Sequence, residues 1–147
     1  RQDFSAGPGL KTLTLDGLPA FSPLVCYEII FSGRVATTPR PQWILNITND
    51  AWFGKSPASY QHISMGALRA VENRVPIIRA ANTGVSGTID ANGTLRHETE
   101  LFVEAAKITK ITPRQGGLTF YTTYGDVFSW LCLFATGLLA ILSRGKE

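Results

Sequence analysis

Apolar and polar positions alternate with a helical period over residues 58–73. The apolar positions there recur at spacings of three and four, at Ile63, Ala67, Ala70 and Val71. This spacing places them on one face of an α-helix. Residues 43–48, by contrast, are rich in β-branched and aromatic side chains, which predicts a buried strand. Between the two, residues 49–57 contain Gly54 and Pro57 and are predicted to form a loop.

Shorter apolar or alternating patterns predict further strands on both sides of this helix. They cover residues 11–15, 21–25, 75–81, 85–90, 94–97 and 105–112. Asp16-Gly17 follows the first of them, and Ala91-Asn92-Gly93 joins two others in the manner of a hairpin turn. A short helix is predicted over residues 28–31. Strands interspersed with one long helix predict an α/β layered domain.

The C-terminal segment differs in character, because residues 127–143 contain no charged side chain. As a helix this run would extend over about 26 Å, near the short end of what crosses the hydrocarbon core of a bilayer. Phe128 and Trp130 lie at one end, and Arg144 and Lys146 follow the other, as is typical of membrane helices. The alternative is a C-terminal helix buried in the domain core.

The chain is therefore predicted to have three parts. Residues 1–126 form a domain, residues 127–143 a transmembrane helix, and residues 144–147 a tail. Positive charge after a membrane helix favours the cytoplasmic side. We therefore expect the tail in the cytoplasm and the domain on the opposite side of the membrane.

Composition removes several classes of function. The net charge is only +3, and the basic residues are scattered rather than clustered with aromatic ones, so no nucleic-acid partner is predicted. The two cysteines are too few for a disulfide framework, and we expect both to be unpaired. Two histidines and no Cys-x-x-Cys give no recognisable metal-ligand cluster, so neither a metal nor a cofactor is predicted.

Judged by its position in the sequence, Cys26 is the strongest candidate for a catalytic residue. It follows a predicted strand and precedes a predicted helix, where a helix N-terminus stabilises a thiolate. The backbone N–H of Tyr27 would then point towards an oxyanion formed on the carbon that Cys26 attacks. Glu28 adds a carboxylate that could orient a neighbouring group. The alternative is an inert buried cysteine, since cysteine is among the residues most often buried.

Other polar positions carry weaker signals. Trp52 and Phe53 lie in the predicted loop beside polar residues, which suits the mouth of a binding site or, equally, aromatic rings folded back into the core. Arg69 and Glu72 are three residues apart on the predicted helix and are interpreted as a structural ion pair. His62 is interpreted as a hydrogen-bonding core residue rather than a general base.

Five segments in this order resemble the nitrilase superfamily. They are Leu24-Val25-Cys26-Tyr27-Glu28, the run from Asn46 to Gly54, Arg69-Ala70-Val71-Glu72-Asn73, Ala81-Asn82-Thr83-Gly84-Val85-Ser86 and Ile89-Asp90-Ala91-Asn92-Gly93. Within the superfamily, the Cys-Tyr-Glu triplet, the Asn-Asp-x-Trp-Phe-Gly run and a terminal apolar helix are similar to the bacterial apolipoprotein N-acyltransferase family. The likeness extends over nearly the whole chain.

The resemblance implies part of an α-β-β-α sandwich, followed here by the predicted transmembrane helix. It also implies a Glu-Lys-Cys catalytic triad, in which Cys26 matches the nucleophile. The family's glutamate and lysine lie farther upstream of the cysteine than the 25 residues that precede Cys26. Lys11 is too close in sequence to be that lysine. We therefore expect this chain to be the C-terminal part of such an enzyme.

The reaction implied by the resemblance transfers an acyl chain from a phospholipid to the N-terminal diacylglyceryl-cysteine of an apolipoprotein. Cys26 would carry the acyl group as a thioester, the Tyr27 N–H would bind the oxyanion and Glu28 would support the site. Trp52 and Phe53 would line the acyl entrance. The implied location is the bacterial inner membrane, with the catalytic domain in the periplasm.

Two other functions remain open at this point. One is a nitrilase-type amidase that hydrolyses a small amide and has no need of a membrane helix. The other is a non-catalytic binding module anchored to the membrane, against which exposure and reactivity of Cys26 would count.

Overall fold

Six strands form one mixed sheet in the computed structural model, which describes residues 7–144. In chain order they are β1 (Leu13–Leu15), β2 (Leu18–Val25), β3 (Trp43–Asn49), β4 (Ile77–Asn82), β5 (Gly87–Ile89) and β6 (Leu95–Arg96). They lie side by side in that same order. β2, β3 and β4 are parallel to one another, while β1, β5 and β6 are added antiparallel at the two sides.

Three α-helices and two short 3-10 helices accompany the sheet in the described part of the chain. The α-helices are α1 (Ala58–Asn73), α2 (Phe120–Tyr124) and α3 (Val127–Arg144). The 3-10 helices, Cys26–Ile30 and Asp50–Phe53, directly follow β2 and β3. The predicted helix over residues 58–73 is confirmed at both ends. Its last turn closes on Arg74, whose left-handed backbone directs its N–H to the carbonyl oxygens of Ala70 and Val71.

The parallel strands bring their carboxyl ends to one edge of the sheet. Val25 pairs with Ile47 in register, and Asn49 pairs with Asn82. Parallel strands require a crossover, and α1 is the crossover between β3 and β4. The residues that follow β2 and β3 therefore meet at this edge, which the two 3-10 helices occupy.

The core lies between α1 and one face of the sheet. It consists of Leu24, Ile29, Val35, Ile44, Ile63, Ala70, Val75, Ile77, Val85 and Ile89. Gly66 lets α1 approach closely, because a Cβ at this position would lie 3.2 Å from Ile89 Cδ1. Val71 departs from the predicted face: it is half exposed and contacts Gly93 in the hairpin turn instead. Within residues 7–144 the chain thus forms one sheet with one long covering helix, the α-β half of an α-β-β-α sandwich.

The predicted strand over residues 105–112 is wrong. A strand exists only by pairing its backbone with a neighbour, and in the described part of the chain this segment forms no ladder. Its apolar residue Ile108 is fully exposed, at 104% of its reference area. The alternating pattern alone was therefore not sufficient to predict a strand here.

Two smaller boundaries also differ from prediction. The short helix expected over residues 28–31 begins at Cys26 and is a 3-10 helix. The loop expected over residues 49–57 contains the 3-10 helix Asp50–Phe53, which the Asn49 side chain caps by accepting the N–H of Ala51.

α3 is the apolar C-terminal helix, and none of its residues is buried against the rest of residues 7–144. It is long and apolar enough to cross a membrane by length and composition. The alternative of a helix buried in the domain core is thereby contradicted, because α3 packs on no core residue. The helix includes Arg144, one residue more than predicted. The remainder of the predicted tail, residues 145–147, lies outside the described residues.

Candidate active site

Cys26 lies at the junction between β2 and the 3-10 helix that follows. Its backbone φ is +51°, in the left-handed region that side-chain-bearing residues rarely adopt. The turn is sharp because the extended β2 must pass at once into a helix whose residue Ile29 is buried. Cys26 is half-buried and Cys132 in α3 is exposed. Both are unpaired, so the prediction of two unpaired cysteines is confirmed.

Side chains of β3 contact Cys26 from the neighbouring strand. Asn46 donates its amide Nδ2 to the carbonyl oxygens of Leu24, at 3.3 Å, and of Cys26, at 3.2 Å. The Thr48 hydroxyl lies 3.5 Å from Cys26 Sγ. Both ends of the strained turn are therefore held by β3, which fixes the direction of the sulfur.

A buried polar network lies behind this turn and is centred on Asp50. Its carboxylate accepts the Thr48 hydroxyl at 3.0 Å and Arg79 Nη2 at 2.7 Å, and its Oδ1 lies 3.1 Å from His62 Nδ1. Arg79 also donates to Asn46 Oδ1 at 2.6 Å and to the carbonyl oxygen of Val85. Asp50 is 1% exposed, and the other charged members are buried as well. Buried charges require this kind of pairing.

Burial lowers the pKa of both basic members of the network. It is the largest cause that lowers the pKa of His62, and the nearby Arg79 guanidinium lowers it further, against smaller opposing effects of Asp50 and the Cys26 backbone. His62 is therefore neutral at neutral pH. Burial also lowers the pKa of Arg79, opposed by Asp50, but arginine remains charged. The network thus contains one anion, one cation and one neutral imidazole.

Gly84 allows the network to close. A Cβ at this position would lie 2.3 Å from Asp50 Oδ2, which no side chain tolerates. The loop after β4 therefore approaches the carboxylate directly, and a residue other than glycine would displace Asp50.

Glu28 and Tyr27 follow Cys26 and are both exposed. Glu28 Oε2 accepts the backbone N–H of Val25 at 2.6 Å, so its carboxylate caps the start of the 3-10 helix. The Tyr27 ring, 51% exposed, lies 5.7 Å from the His62 ring and 6.4 Å from the Phe31 ring. The predicted triplet is thus a compact unit with its last residue bonded back to the strand.

Trp52 and Phe53 divide between the two predicted alternatives. Trp52 is 85% exposed, which suits the mouth of a site. Phe53 is half-buried, with its ring perpendicular to that of His62 at 5.7 Å. Only Phe53 therefore folds back towards the interior.

A groove of about 770 Å³ runs beside the 3-10 helix of Cys26, bordered by Leu13, Val25, Glu28 and Phe31 among others. A second cavity, of about 450 Å³, lies by the β5–β6 hairpin and contains none of the predicted site residues. We associate the first with the site because its walls include residues on both sides of Cys26. No group of three metal-binding side chains occurs in the part of the chain that the structure describes.

The remaining predicted pair is structural. Arg69 Nη2 and Glu72 Oε1 are 2.6 Å apart on α1. Glu72 also accepts the Ser32 hydroxyl, and Arg69 donates to the carbonyl oxygen of Ile30. Ser32 in turn contacts the Tyr121 hydroxyl in α2. This network ties α1 to the segments after Cys26 and before α3.

Sequence reasoning missed the Asp50–Arg79 pair. A signal for it existed, since Asn46, Thr48 and Asp50 occupy alternate positions and so share one face of β3 and its continuation. Arg79 also interrupts an apolar strand, where an unpaired charge would be costly. What the sequence lacked was the register that joins these residues, which depends on the parallel pairing of β3 with β4.

A comparison with known families decides the classification, because residues 4–117 match the model of the carbon-nitrogen hydrolase family. The chain belongs to the carbon-nitrogen hydrolase family. This confirms the resemblance to the nitrilase superfamily and the α/β fold that it implied.

Relatives of this carbon-nitrogen hydrolase chain are apolipoprotein N-acyltransferases. That of Geobacter metallireducens is 46% identical over 99% of this chain and 28% of its own length. That of Bradyrhizobium diazoefficiens is 40% identical over 98% of this chain and 27% of its own length. The chain therefore spans less than a third of the length of the curated relatives it matches.

Solved structures are similar in fold. The carbon-nitrogen hydrolase superfamily protein XC1258 of Xanthomonas campestris matches 65% of this chain and 41% of its own, with a TM-score of 0.51 and 23% identity. An amidase of Nesterenkonia sp. AN1 matches 67% of this chain and 41% of its own, with a TM-score of 0.51 and 21% identity. At these identities, both similarities concern the fold alone.

Proposed function

We propose that the chain is the nucleophile-bearing, C-terminal part of a membrane enzyme that N-acylates the diacylglyceryl-cysteine of bacterial apolipoproteins. The single observation that carries the proposal is the geometry of Cys26, held at φ +51° where a strand meets a helix. The relatives named apolipoprotein N-acyltransferase support the choice of reaction. The Nesterenkonia amidase, whose active-site cysteine takes up acrylamide, supports the choice of nucleophile.

The proposed reaction has two steps. The Cys26 thiolate attacks the carbonyl carbon of a phospholipid acyl ester; the ester C–O bond breaks, and the lysophospholipid alkoxide leaves with a proton. The α-amino group of the diacylglyceryl-cysteine then attacks the thioester. An amide forms, the C–S bond breaks, and the thiolate is regenerated as the amine loses its proton.

The neighbours of Cys26 have supporting roles in this proposal. The Tyr27 backbone N–H donates to the oxyanion of each tetrahedral intermediate. Glu28 keeps the turn rigid through its bond to the Val25 N–H. The proton-transferring glutamate and the lysine that the resemblance implies would be supplied by the rest of the full-length enzyme.

The substrates are lipids, and the surroundings of the site suit them. The exposed Trp52 ring and the adjoining Phe53 form an apolar entrance for the acyl chain. α3 spans the inner membrane, with residues 1–126 in the periplasm and the C-terminus in the cytoplasm. Membrane attachment keeps the site beside both the acyl donor and the lipidated acceptor.

A second candidate is a small-molecule amidase, which the fold neighbour of that name favours. The same nucleophile would serve it. α3 counts against this candidate, because a soluble amidase does not need an exposed apolar helix in which residues 127–143 carry no charge.

The test follows acyl transfer in the full-length protein in detergent. Cys26→Ala and Cys26→Ser are compared with Cys132→Ser, which removes the other cysteine of the chain. A labelled phospholipid should give a hydroxylamine-sensitive protein adduct in the wild type and in Cys132→Ser, and none in either Cys26 variant. Normal acyl transfer by Cys26→Ala would contradict the proposal. Labelled ammonia release from small amides without acyl transfer would favour the amidase.

A further inference from the structure

The Thr48 hydroxyl lies between two acceptors. Its oxygen is 3.0 Å from Asp50 Oδ1 and 3.5 Å from Cys26 Sγ. A hydroxyl has one hydrogen to donate, so it can serve only one of them at a time. Among residues 7–144, Thr48 is the one residue whose side chain forms a hydrogen bond with the sulfur.

Asp50 retains strong partners when the Thr48 hydrogen is directed elsewhere. Arg79 Nη2 donates to Oδ2 at 2.7 Å, and His62 Nδ1 lies 3.1 Å from Oδ1. Arg79 keeps Oδ2 paired, and His62 donates to Oδ1 in the tautomer that carries its proton on Nδ1, so rotation of the hydroxyl leaves no buried charge uncompensated. Only the O–H bond needs to turn, because the Thr48 oxygen is already placed between the acceptors.

Within residues 7–144, no charged side chain near Cys26 donates a hydrogen bond to the sulfur. On its own helix Glu28 is engaged with the Val25 N–H. Asp50 lies in the second 3-10 helix and Arg79 in β4, and together they form an ion pair of nearly zero net charge. From α1 comes His62, which is neutral at neutral pH.

We propose that Thr48 is a positioning residue for Cys26, which donates to Asp50 while the sulfur is a thiol or thioester and to Sγ while it is a thiolate. Hydrogen bonds to ionised acceptors are about twice as strong as those to neutral ones. Asp50 is already paired with Arg79, so a newly formed thiolate gains more from the Thr48 hydrogen than the carboxylate loses. The donor thus stabilises the attacking thiolate and, later, the departing one. No covalent bond changes. The inference rests on the proposed function only in taking Cys26 as the nucleophile.

The test measures alkylation of Cys26 by iodoacetamide in the full-length protein, over a pH series, with peptide mass spectrometry to follow that cysteine alone. Thr48→Val removes the hydroxyl at nearly constant shape, and Thr48→Ser retains it. Thr88→Val is the matched control, since this strand threonine donates to the Arg96 carbonyl instead. We expect Thr48→Val to react about tenfold or more slowly at neutral pH, with its pH profile moved to higher pH. Thr48→Ser and Thr88→Val should follow the wild type.

A Thr48→Val profile that coincides with the wild type would overturn the proposal, as would a Thr48→Ser profile moved as far as that of Thr48→Val. Circular dichroism establishes that each variant is folded. If Thr48→Val is not, Thr48→Ala is judged by the same criterion. Failure of the proposed function is seen separately, as acyl transfer by Cys26→Ala, and leaves the alkylation result standing as a property of the thiol.

Discussion

Replacing Arg79 by methionine should destabilise the domain far more than the loss of one surface charge. Arg79 is buried in β4, and its guanidinium donates to Asp50, to Asn46 and to the carbonyl oxygen of Val85. Methionine keeps much of the apolar stem and removes every donor. The substitution therefore isolates the polar function of the side chain from its volume.

The magnitude follows from what remains. Asp50, 1% exposed, is left buried without a cation beside it. Removing one partner of a buried ion pair costs about 3–5 kcal/mol. Arg96→Met is the matched control, because its side chain is 60% exposed and lies 3.2 Å from Asp90. An exposed pair of this kind contributes only about 0–1 kcal/mol.

Denaturant unfolding of the full-length protein in detergent, followed by tryptophan fluorescence, measures the two free energies of unfolding. We expect Arg79→Met to lose about 3–5 kcal/mol and Arg96→Met less than about 1 kcal/mol. The double variant Arg79→Met, Asp50→Asn should lose less free energy of unfolding than the two single variants together. Asparagine in place of Asp50 leaves no buried carboxyl group without its arginine. Equal losses in the two methionine variants would refute the reasoning.

Three further predictions concern other parts of the chain. A reporter fused after Glu147 should behave as cytoplasmic, and periplasmic activity would reverse the proposed topology. The 147 residues alone should show no acyl transfer in micelles with phospholipid and a diacylated peptide, since the implied base and lysine are missing; turnover near the full-length rate would contradict this. The free energy of unfolding should fall as pH drops below about 6.5, the ordinary pKa of histidine. Below this pH His62 is protonated in the unfolded chain, whereas its lowered pKa disfavours protonation in the folded one. In His62→Gln this part of the pH dependence should vanish, and an unchanged profile would count against a lowered His62 pKa.

Local patterns were sufficient for the elements that have strong local causes. The bounds of α1 could be predicted because its helical period is regular and Arg74 ends it before Pro76. The turn at Cys26 could be predicted as well, because strand and helix patterns flank this residue. Its left-handed backbone could not, since nothing in the side chain of cysteine favours it.

The buried network required information that no single segment contains. Asp50, His62 and Arg79 belong to a 3-10 helix, to α1 and to β4, and they meet only because parallel pairing brings those elements to one edge. The opposite error occurred at residues 105–112, where a local alternation was present but no neighbouring strand paired with it. Tertiary context decided both cases.

The left-handed backbone of Cys26 implies a conflict between folding and activity. A residue with a Cβ pays about 1–2 kcal/mol for this conformation, whereas glycine adopts it freely. In a library of variants selected only for thermal stability, Cys26→Gly should therefore become enriched. The most thermostable variants would then lack the nucleophile and be inactive. Any programme that aims at a more robust catalyst must select for turnover at the same time.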